Sequence, residues 1–247
     1  MKAVILSLFV TVLSLSTLHA ETPLSADEKA AIHAEIRAYL LENPEILREA
    51  MAVLEEREAE AAAEADIALV QEHRAALLGD GFSYIGGNPE GDVTLIEFVD
   101  YQCGFCKRAH PEVQALIAAD PNIRYIVKEL PILGPASMAA ARAALAVLDL
   151  QGDAAYARFS DALMRHEGQL TPGVITALAD EAGADVDEMM ALADSDAITN
   201  RLNETRALAS AIKLSGTPTF VLGDRILRGY LPLQDMQAIV AETREGT

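Results

Sequence analysis

Helical periodicity dominates the N-terminal part of the chain. Ser25 is a typical helix N-cap, and Asp27 and Glu28 lie in the turn that follows. The residues behind it repeat at helical spacing: Ile32, Ile36, Tyr39 and Leu40. Asn43-Pro44-Glu45 then predicts a stop and a restart, because proline is favoured in the first turn of a helix. We expect the second helix to run from Pro44 to Leu78, a length of about 50 Å at about 1.5 Å per residue.

The helical pattern ends at two glycine-containing segments, Gly79-Asp80-Gly81 and Gly86-Gly87-Asn88-Pro89. Both segments predict turns at a domain boundary. Residues 93–99 are β-branched and mostly apolar, as in a buried strand. A helical stretch follows from Cys103 to about Ala119, and residues 123–127 again have the pattern of a strand. This order predicts a βαβ unit.

Helical sequence returns over residues 136–213, where alanine-rich faces suit close helix packing. Residues 219–222 and 226–229 predict a β-hairpin across Gly223-Asp224, and residues 233–243 predict a last helix. A βαβ unit, a helical block and a ββα unit together indicate an α/β protein.

Residues 1–20 have the pattern of a secretory signal peptide. Lys2 gives the positive start, Ala3 to Leu18 is apolar, and Ala20 is the small residue expected before a cleavage site. The apolar run is short for a membrane-spanning helix, which needs about 20 residues. We therefore predict an exported protein cleaved near Ala20, in an oxidising compartment. An uncleaved membrane anchor is the alternative interpretation.

Acidic residues outnumber basic ones by 38 to 19, which gives a formal net charge of −19. Nucleic-acid binding depends on clustered Lys and Arg, so this balance argues against a nucleic-acid partner. It also argues against attachment to anionic lipid through basic residues. With 51% hydrophobic residues the chain can bury a core, and its 2 cysteines exclude a disulfide-rich scaffold.

The negative charge is unevenly distributed along the chain. Residues 21–80 hold 15 acidic and 5 basic residues, which account for about half of the net charge. The apolar stripe of these predicted helices has no obvious partner within the chain. A solvated linker helix and an oligomerisation arm are both open, and we favour an arm that makes the protein a homo-oligomer through residues 21–80.

The two cysteines form a single C-x-x-C motif, Cys103-Gly104-Phe105-Cys106. This spacing brings two sulfurs within bonding range across one helical turn. Cys103 lies at the predicted helix N-terminus, where the free N–H groups and the helix dipole stabilise a thiolate and lower the pKa below about 8.5. We predict that Cys103 is the nucleophile and that Cys106 resolves the mixed disulfide that Cys103 forms with a substrate.

A zinc site or a purely structural disulfide would use the same two cysteines. Structural zinc takes four ligands, and no second ligand pair with zinc-finger spacing accompanies Cys103, Cys106 and His110. A disulfide between such close neighbours closes a small loop and stabilises little. We therefore expect a redox pair, with no resident metal and no cofactor.

Gly216-Thr217-Pro218-Thr219-Phe220 is the second informative segment, because it places a proline directly before a predicted strand. Proline is poorly tolerated inside a sheet, and a cis peptide bond is one use for it at this point. A trans proline that opens the strand is equally consistent with the sequence.

Glu97 lies within the apolar stretch 93–99, six residues before Cys103. A carboxylate in apolar surroundings is unfavourable unless it has a partner or a task. Glu97 is therefore a candidate proton acceptor for Cys106 through water. An outward-facing strand residue is the alternative interpretation.

These segments resemble the DsbA family of thioredoxin-fold thiol–disulfide oxidoreductases over residues 82–244. The resemblance rests on Glu97 to Cys106, on the helical block and on Gly216 to Phe220. It implies a thioredoxin fold with a helical insertion at about 136–213. The DsbA-like domain would span residues 81–247 and follow the N-terminal helical arm.

The resemblance also implies a role for each site residue. Cys103 would be the exposed nucleophile, Cys106 the buried cysteine, and Glu97 the acidic residue beneath the active site. Thr217 and Pro218 would match the cis-proline loop that faces the cysteines and binds the substrate backbone. The expected partners are exported cysteine-containing proteins and a membrane redox partner, either a DsbD-like reductant or a DsbB-like oxidant.

The arm resembles the N-terminal segment of the subgroup that includes the suppressor-of-copper-sensitivity protein ScsC, through residues 36–54. Some members of that subgroup are trimeric disulfide isomerases. Gly104-Phe105 stands where strongly oxidising family members carry Pro-His, so we expect a less oxidising disulfide. We therefore favour a disulfide isomerase or reductase over a DsbA-like oxidase. Cu(I) binding by the same thiols is a further alternative.

Overall fold

The structure is a computed structural model and describes residues 24–245. The predicted signal peptide at residues 1–20 lies outside the described residues. The chain divides into two compact units, Met1–Arg57 and Glu58–Thr247. From here on, the arm means the described part of the first unit, residues 24–57, and no longer the predicted range 21–80. The second unit is called the catalytic unit.

The arm is helical, as the apolar periodicity predicts. Helix α1 spans Ala26–Glu42, and the Ser25 hydroxyl accepts a hydrogen bond from the Glu28 N–H while the Glu28 carboxylate accepts one from the Ser25 N–H. Such a capping box satisfies N–H groups that the first turn leaves unpaired. Asn43 ends α1, and α2 begins at Glu45 and extends to Glu72. The predicted stop and restart at Asn43-Pro44-Glu45 is therefore confirmed.

None of residues 24–57 is buried. Large apolar side chains of the arm are between two-fifths and seven-tenths exposed: Leu24, Ile32, Ile36, Tyr39, Leu41, Leu47, Met51, Val53 and Leu54. Helices of a monomeric domain normally turn such a stripe toward a core.

The expectation of one helix from Pro44 to Leu78 is wrong at its C-terminal end. Helix α2 stops at Glu72, and a short helix α3 spans Arg74–Leu78 after His73, whose backbone leaves the helical region. Val70 and Leu77 on either side of the break are 2% and 1% exposed. The end of α2 and α3 thus each contribute one buried side chain to the core of the catalytic unit.

Five strands form one mixed sheet in the order β1-β3-β2-β4-β5. Strands β2 and β3 are parallel, and every other neighbouring pair is antiparallel. The strands span Tyr84–Gly87, Val93–Val99, Ile123–Glu129, Thr219–Leu222 and Arg225–Arg228. The predicted βαβ unit and the hairpin across Gly223-Asp224 are confirmed.

The predicted turn at Gly86-Gly87 is wrong, because both residues belong to strand β1. The backbone of β3 approaches so closely that a Cβ on Gly87 would lie 2.4 Å from the Ile123 carbonyl oxygen, and Gly87 has a φ of +64°. Only glycine fits both conditions, so the residue type that indicates a turn here serves strand pairing.

The remaining helices follow the predicted blocks. Helix α4 spans Gly104–Ala119, the helical insertion contains α5 to α9, and α10 spans Leu233–Glu245. The insertion helices are Pro135–Gln151, Asp153–Arg165, Pro172–Glu181, Val186–Ala193 and Asp196–Ala211. Thr171, Asp185 and Ser195 are the N-cap residues of α7, α8 and α9, and each side chain accepts a hydrogen bond from a backbone N–H of the first turn.

Side chains of β2 alternate between two cores. Leu95 and Val99 pack on the face that holds α4, α5 and α6, whereas Ile96 and Phe98 pack with Leu77 and α9 on the other face. Because successive side chains of a strand point to opposite faces, Glu97 shares the face of Leu95 and Val99. This is also the face that contains both cysteines.

Candidate active site

The C-x-x-C motif lies at the connection between β2 and α4. Cys103 is the N-cap residue of α4, with φ −75° and ψ 114°. The Asp100 carboxylate fixes the turn before it, because it accepts hydrogen bonds from the N–H groups of Gln102, Ile132 and Leu133 at 2.8, 2.8 and 3.0 Å. The motif is therefore held on one side by β2 and on the other by the loop that follows β3.

Cys103 has an environment that favours its thiolate. A hydrogen bond from the Cys106 thiol, joined by backbone N–H groups of Cys106 and Phe105 at the start of α4, lowers the pKa of Cys103 to about 5. The thiol also lies 3.1 Å from the Thr217 carbonyl oxygen, to which it donates when protonated. At neutral pH Cys103 is thus ready to attack a disulfide.

The expectation of an exposed Cys103 needs correction. Its residue exposure is only 6%, because the Thr217 loop covers it. Gly104 and Phe105, the two residues between the cysteines, are exposed instead, and the Phe105 ring is 61% exposed beside the narrow opening.

Cys106 has the opposite preference. It is fully buried, and burial raises its pKa far above the ordinary value, with further contributions from its hydrogen bond to Cys103 and from the charges of Glu97 and Cys103. Both cysteines are free thiols in the structure. One helical turn therefore carries one thiol that ionises easily and one that holds its proton.

Glu97 lies inside the core, 2% exposed, so the interpretation as an outward-facing strand residue is wrong. The Tyr125 hydroxyl donates a hydrogen bond of 2.5 Å to its carboxylate. Burial raises the pKa of Glu97 to about 7, and the charge of Cys103 adds to the rise while the Tyr125 bond opposes it. A carboxyl with this pKa can both accept and release a proton near neutral pH.

The Thr217-Pro218 peptide bond is cis. Its loop is held by hydrogen bonds from the Gly229 N–H to the Pro218 carbonyl oxygen and from the Thr219 hydroxyl to the Gly216 carbonyl oxygen, at 2.9 and 2.8 Å. The Thr217 hydroxyl oxygen is buried and has no hydrogen-bond partner among the described residues. The loop thus lies against Cys103, and the Thr217 side chain is among the groups that lower the pKa of Cys103.

Sequence reasoning missed a second buried carboxyl on the same sheet face. Glu129, at the end of β3, accepts hydrogen bonds from the hydroxyls of Tyr101 and Tyr156, both at 2.6 Å, and the Ser160 hydroxyl donates to the Tyr101 oxygen at 3.1 Å. Burial raises the pKa of Glu129 to about 8. Glu129 lies beyond the strand predicted at 123–127 and follows Lys128, so the argument that singles out Glu97 within an apolar strand does not extend to it.

Within residues 24–245 no group of three or more His, Cys, Asp or Glu side chains is placed to hold a metal ion. No helix in the same range has the length and apolar character needed to cross a membrane.

Comparison with protein families gives two matches. Residues 94–241 match the DSBA-like thioredoxin domain, and residues 28–61 match the copper resistance protein ScsC N-terminal domain. The first match contains both cysteines and the cis-proline loop, and the second lies on α1 and the first part of α2.

Two solved structures are similar to this chain. A thioredoxin-like oxidoreductase from Silicibacter pomeroyi DSS-3 is 39% identical, with a TM-score of 0.66 over 70% of this chain and 98% of that one. BcfH of Salmonella enterica Typhimurium is 30% identical, with a TM-score of 0.76 over 88% of this chain and 96% of that one.

A curated relative of different architecture also matches. The Na(+)/H(+) antiporter NhaA 1 of Salinispora arenicola is 33% identical over 167 residues, which cover 66% of this chain and 25% of the antiporter. The chain thus spans about a quarter of the length of the curated relatives it matches. With a family match over more than half of its residues, a thioredoxin-like sheet and a C-x-x-C motif at the start of α4, this chain belongs to the DSBA-like thioredoxin family of thiol–disulfide oxidoreductases.

Proposed function

We propose that this protein exchanges thiols and disulfides in exported proteins, chiefly as a disulfide isomerase or reductase. The observation that carries the proposal is the opposite protonation preference of Cys103 and Cys106 across one turn of α4. Such asymmetry separates an attacking thiol from a resolving one.

In the first step the Cys103 thiolate attacks one sulfur of a disulfide in the client protein. The client S–S bond breaks, one client sulfur leaves as a thiolate, and a mixed disulfide joins Cys103 to the other. The exposed Phe105 side chain offers an apolar contact to the client beside Cys103.

Two outcomes follow from the mixed disulfide. In isomerisation a client thiolate attacks the client sulfur of the mixed disulfide, forms a new client disulfide and releases the Cys103 thiolate, with no net oxidation. In reduction the Cys106 thiolate attacks the Cys103 sulfur, so the client gains two electrons and a Cys103–Cys106 disulfide forms. Loss of the Cys103 charge in the mixed disulfide removes one contribution to the high pKa of Cys106.

The arm is the reason to favour isomerisation. Its apolar side chains are exposed, and residues 28–61 match the ScsC N-terminal domain. A second or third copy of the arm is a suitable cover for such a stripe. Several Cys103 sites on one particle would then act on one misfolded client.

The cellular setting remains part of the proposal. The signal pattern at residues 1–20 supports export to the periplasm. An isomerase there needs Cys103 kept reduced, which calls for a membrane reductant of the DsbD-like kind. An oxidase would need a DsbB-like oxidant instead.

The test compares the full chain with an arm variant. Reduced wild-type protein should restore activity to ribonuclease that contains scrambled disulfides and should run as an oligomer in light scattering. An Ile36→Glu, Leu47→Glu double variant should run as a monomer and lose most isomerase activity, whereas a Glu35→Gln, Glu49→Gln variant with two exposed polar changes should retain both properties. If the wild type only oxidises reduced ribonuclease, the isomerase assignment fails.

A further inference from the structure

Attack by Cys106 on the mixed disulfide releases the Cys106 thiol proton inside a buried site, and this proton must reach solvent. When Cys106 becomes part of a disulfide, its thiol proton is released, yet Cys106 is fully buried and Glu97 is 2% exposed. Glu97 can accept the proton but has no direct contact with bulk water through which to lose it. Repeated turnover therefore needs a route from Glu97 to the surface.

Tyr125 is the first group on such a route. Its hydroxyl donates to the Glu97 carboxylate, and its ring is only 5% exposed. When Glu97 takes up a proton, the direction of this bond reverses, because the new carboxylic acid donates to the phenol oxygen. The phenol O–H is then free to turn toward another acceptor.

Tyr125 also lines an inner cleft of about 80 Å³ between the sheet, α4 and α6. Its titratable lining groups are Tyr84, Tyr125, Tyr156, His110 and Asp161, and Ser160 and Gln114 add neutral polar groups. A water needs about 10–15 Å³ of such space and two to four polar partners, so the cleft can hold water.

His110 stands between the inner cleft and an outer groove. The groove, about 490 Å³, is lined by Gln102, Lys107, His110 and His166 among others, and His110 and Met164 line both spaces. His110 is 7% exposed, and its Nε2 lies 2.8 Å from the Asp161 carboxylate. Asp161 also accepts from Arg165 and has two-fifths of its side chain exposed, so the pair reaches solvent.

We propose that Tyr125, the inner cleft and the His110–Asp161 pair form the outlet for the proton of Cys106. This inference rests on the proposed thiol–disulfide exchange and names the residues that serve its resolving step. Glu97 receives the proton from Cys106 and passes it to the Tyr125 oxygen, while Tyr125 releases its own proton to water in the cleft. That water passes a proton to His110. His110 then loses a proton to the outer groove and so returns to its starting protonation state.

The titratable groups around Glu97 are consistent with Glu97 as the proton acceptor of this outlet. Glu97 faces Tyr125 on β3, both cysteines on α4, and the more distant Glu129 on β3. Glu129 is reached from the cleft through Tyr156, but burial raises the pKa of Glu129 to about 8. It already holds its proton at neutral pH, so it is a poorer acceptor than Glu97.

Tyr125→Phe in the full chain is the direct test, because it removes one oxygen atom. Stopped-flow mixing of reduced protein with a peptide disulfide separates attack by Cys103 from release of the second peptide thiol, which needs Cys106. We expect release to slow at least about tenfold, with a changed pH profile and solvent isotope effect, while the attack rate and the thiolate titration of Cys103 stay within twofold. Tyr230→Phe is the matched control, because it removes another tyrosine–carboxylate bond, to Glu112, and should change neither step.

A second variant protects the test against a folding defect. His110→Gln should also slow release, and added imidazole should restore it, which repacking alone would not produce. Normal release in both variants, or equal slowing of attack and release in Tyr125→Phe, overturns the outlet. Absence of attack in the wild type would instead overturn the proposed function itself.

Discussion

The arm and the catalytic unit use apolar residues in opposite ways. In the catalytic unit Leu77, Leu95 and Phe98 are each no more than 1% exposed, whereas Leu41 and Leu47 in the arm are 69% and 50% exposed. The thiol site lies entirely within the unit that buries its own core. The difference teaches that the described residues of one chain build the thiol site, whereas they leave the apolar side chains of the arm exposed.

The largest effect should come from Cys103→Ser. Loss of the nucleophile should reduce exchange with a peptide disulfide by about a thousandfold or more, because no other described thiol ionises near neutral pH. Light scattering should give an unchanged particle mass, since the arm is untouched. Substantial exchange by the variant would place the nucleophile elsewhere and break the assignment of chemistry to this site.

A pair of leucine truncations sharpens the contrast in burial. Leu77→Ala should lower the free energy of unfolding of the catalytic unit by about 2–5 kcal/mol, because the side chain is 1% exposed and leaves a cavity. Leu47→Ala, half exposed, should change that value by less than about 0.5 kcal/mol and weaken self-association instead. Urea unfolding at several protein concentrations measures both quantities. Equal losses would contradict the division of the chain.

Glu97→Gln tests a charge inside the catalytic unit. Because the pKa of Glu97 is raised from its ordinary value of 4.5 to about 7, the unfolded chain binds fewer protons than the folded one between these values. Wild-type stability should therefore fall, relative to Glu97→Gln, as pH rises from about 4.5 to about 7, by about 1–3 kcal/mol in total.

Paired urea titrations of the two reduced proteins measure this difference and cancel the contribution of Cys103, whose sign is opposite. A constant difference across the range would show that Glu97 is not a buried titrating group. The resolving step of Glu97→Gln should also slow about tenfold, with the arm and particle mass unaffected.

The smallest effect should come from Phe105→His. The exposed ring is replaced by a group that can donate a hydrogen bond or carry charge beside the Cys103 thiolate, which stabilises the reduced form. Equilibration with glutathione should show a more oxidising disulfide, by about 30 mV or less. Phe105→Leu serves as the control for lost aromatic packing and should leave the potential nearly unchanged. A less oxidising Phe105→His would contradict the interpretation of the Gly104-Phe105 pair.

Local patterns in the sequence were sufficient for most elements. The capping residue Ser25 and the β-branched run 93–99 each act through neighbours along the chain, and each appears where predicted. The start of α4 at the C-x-x-C motif has the same origin, since an N-terminal turn is a local structure.

The structure differs from the sequence predictions where segments that are distant along the chain come into contact. Gly87 lies in a strand because the Ile123 carbonyl of β3 approaches it, and nothing near Gly87 in the sequence indicates that approach. Glu129 becomes a buried carboxyl only because Tyr101 and Tyr156, from two other elements, bring their hydroxyls to it. Likewise the 6% exposure of Cys103 depends on a loop more than a hundred residues away.

The most direct test of the central claim is the pH dependence of alkylation in the reduced full-length protein. Iodoacetamide labelling followed by peptide mass spectrometry should show Cys103 reacting with a midpoint near pH 5, and Cys106 unlabelled across the range up to about pH 9. A Cys103 midpoint near the ordinary thiol value of about 8.5, or preferential labelling of Cys106, would contradict the asymmetry on which the proposed function rests.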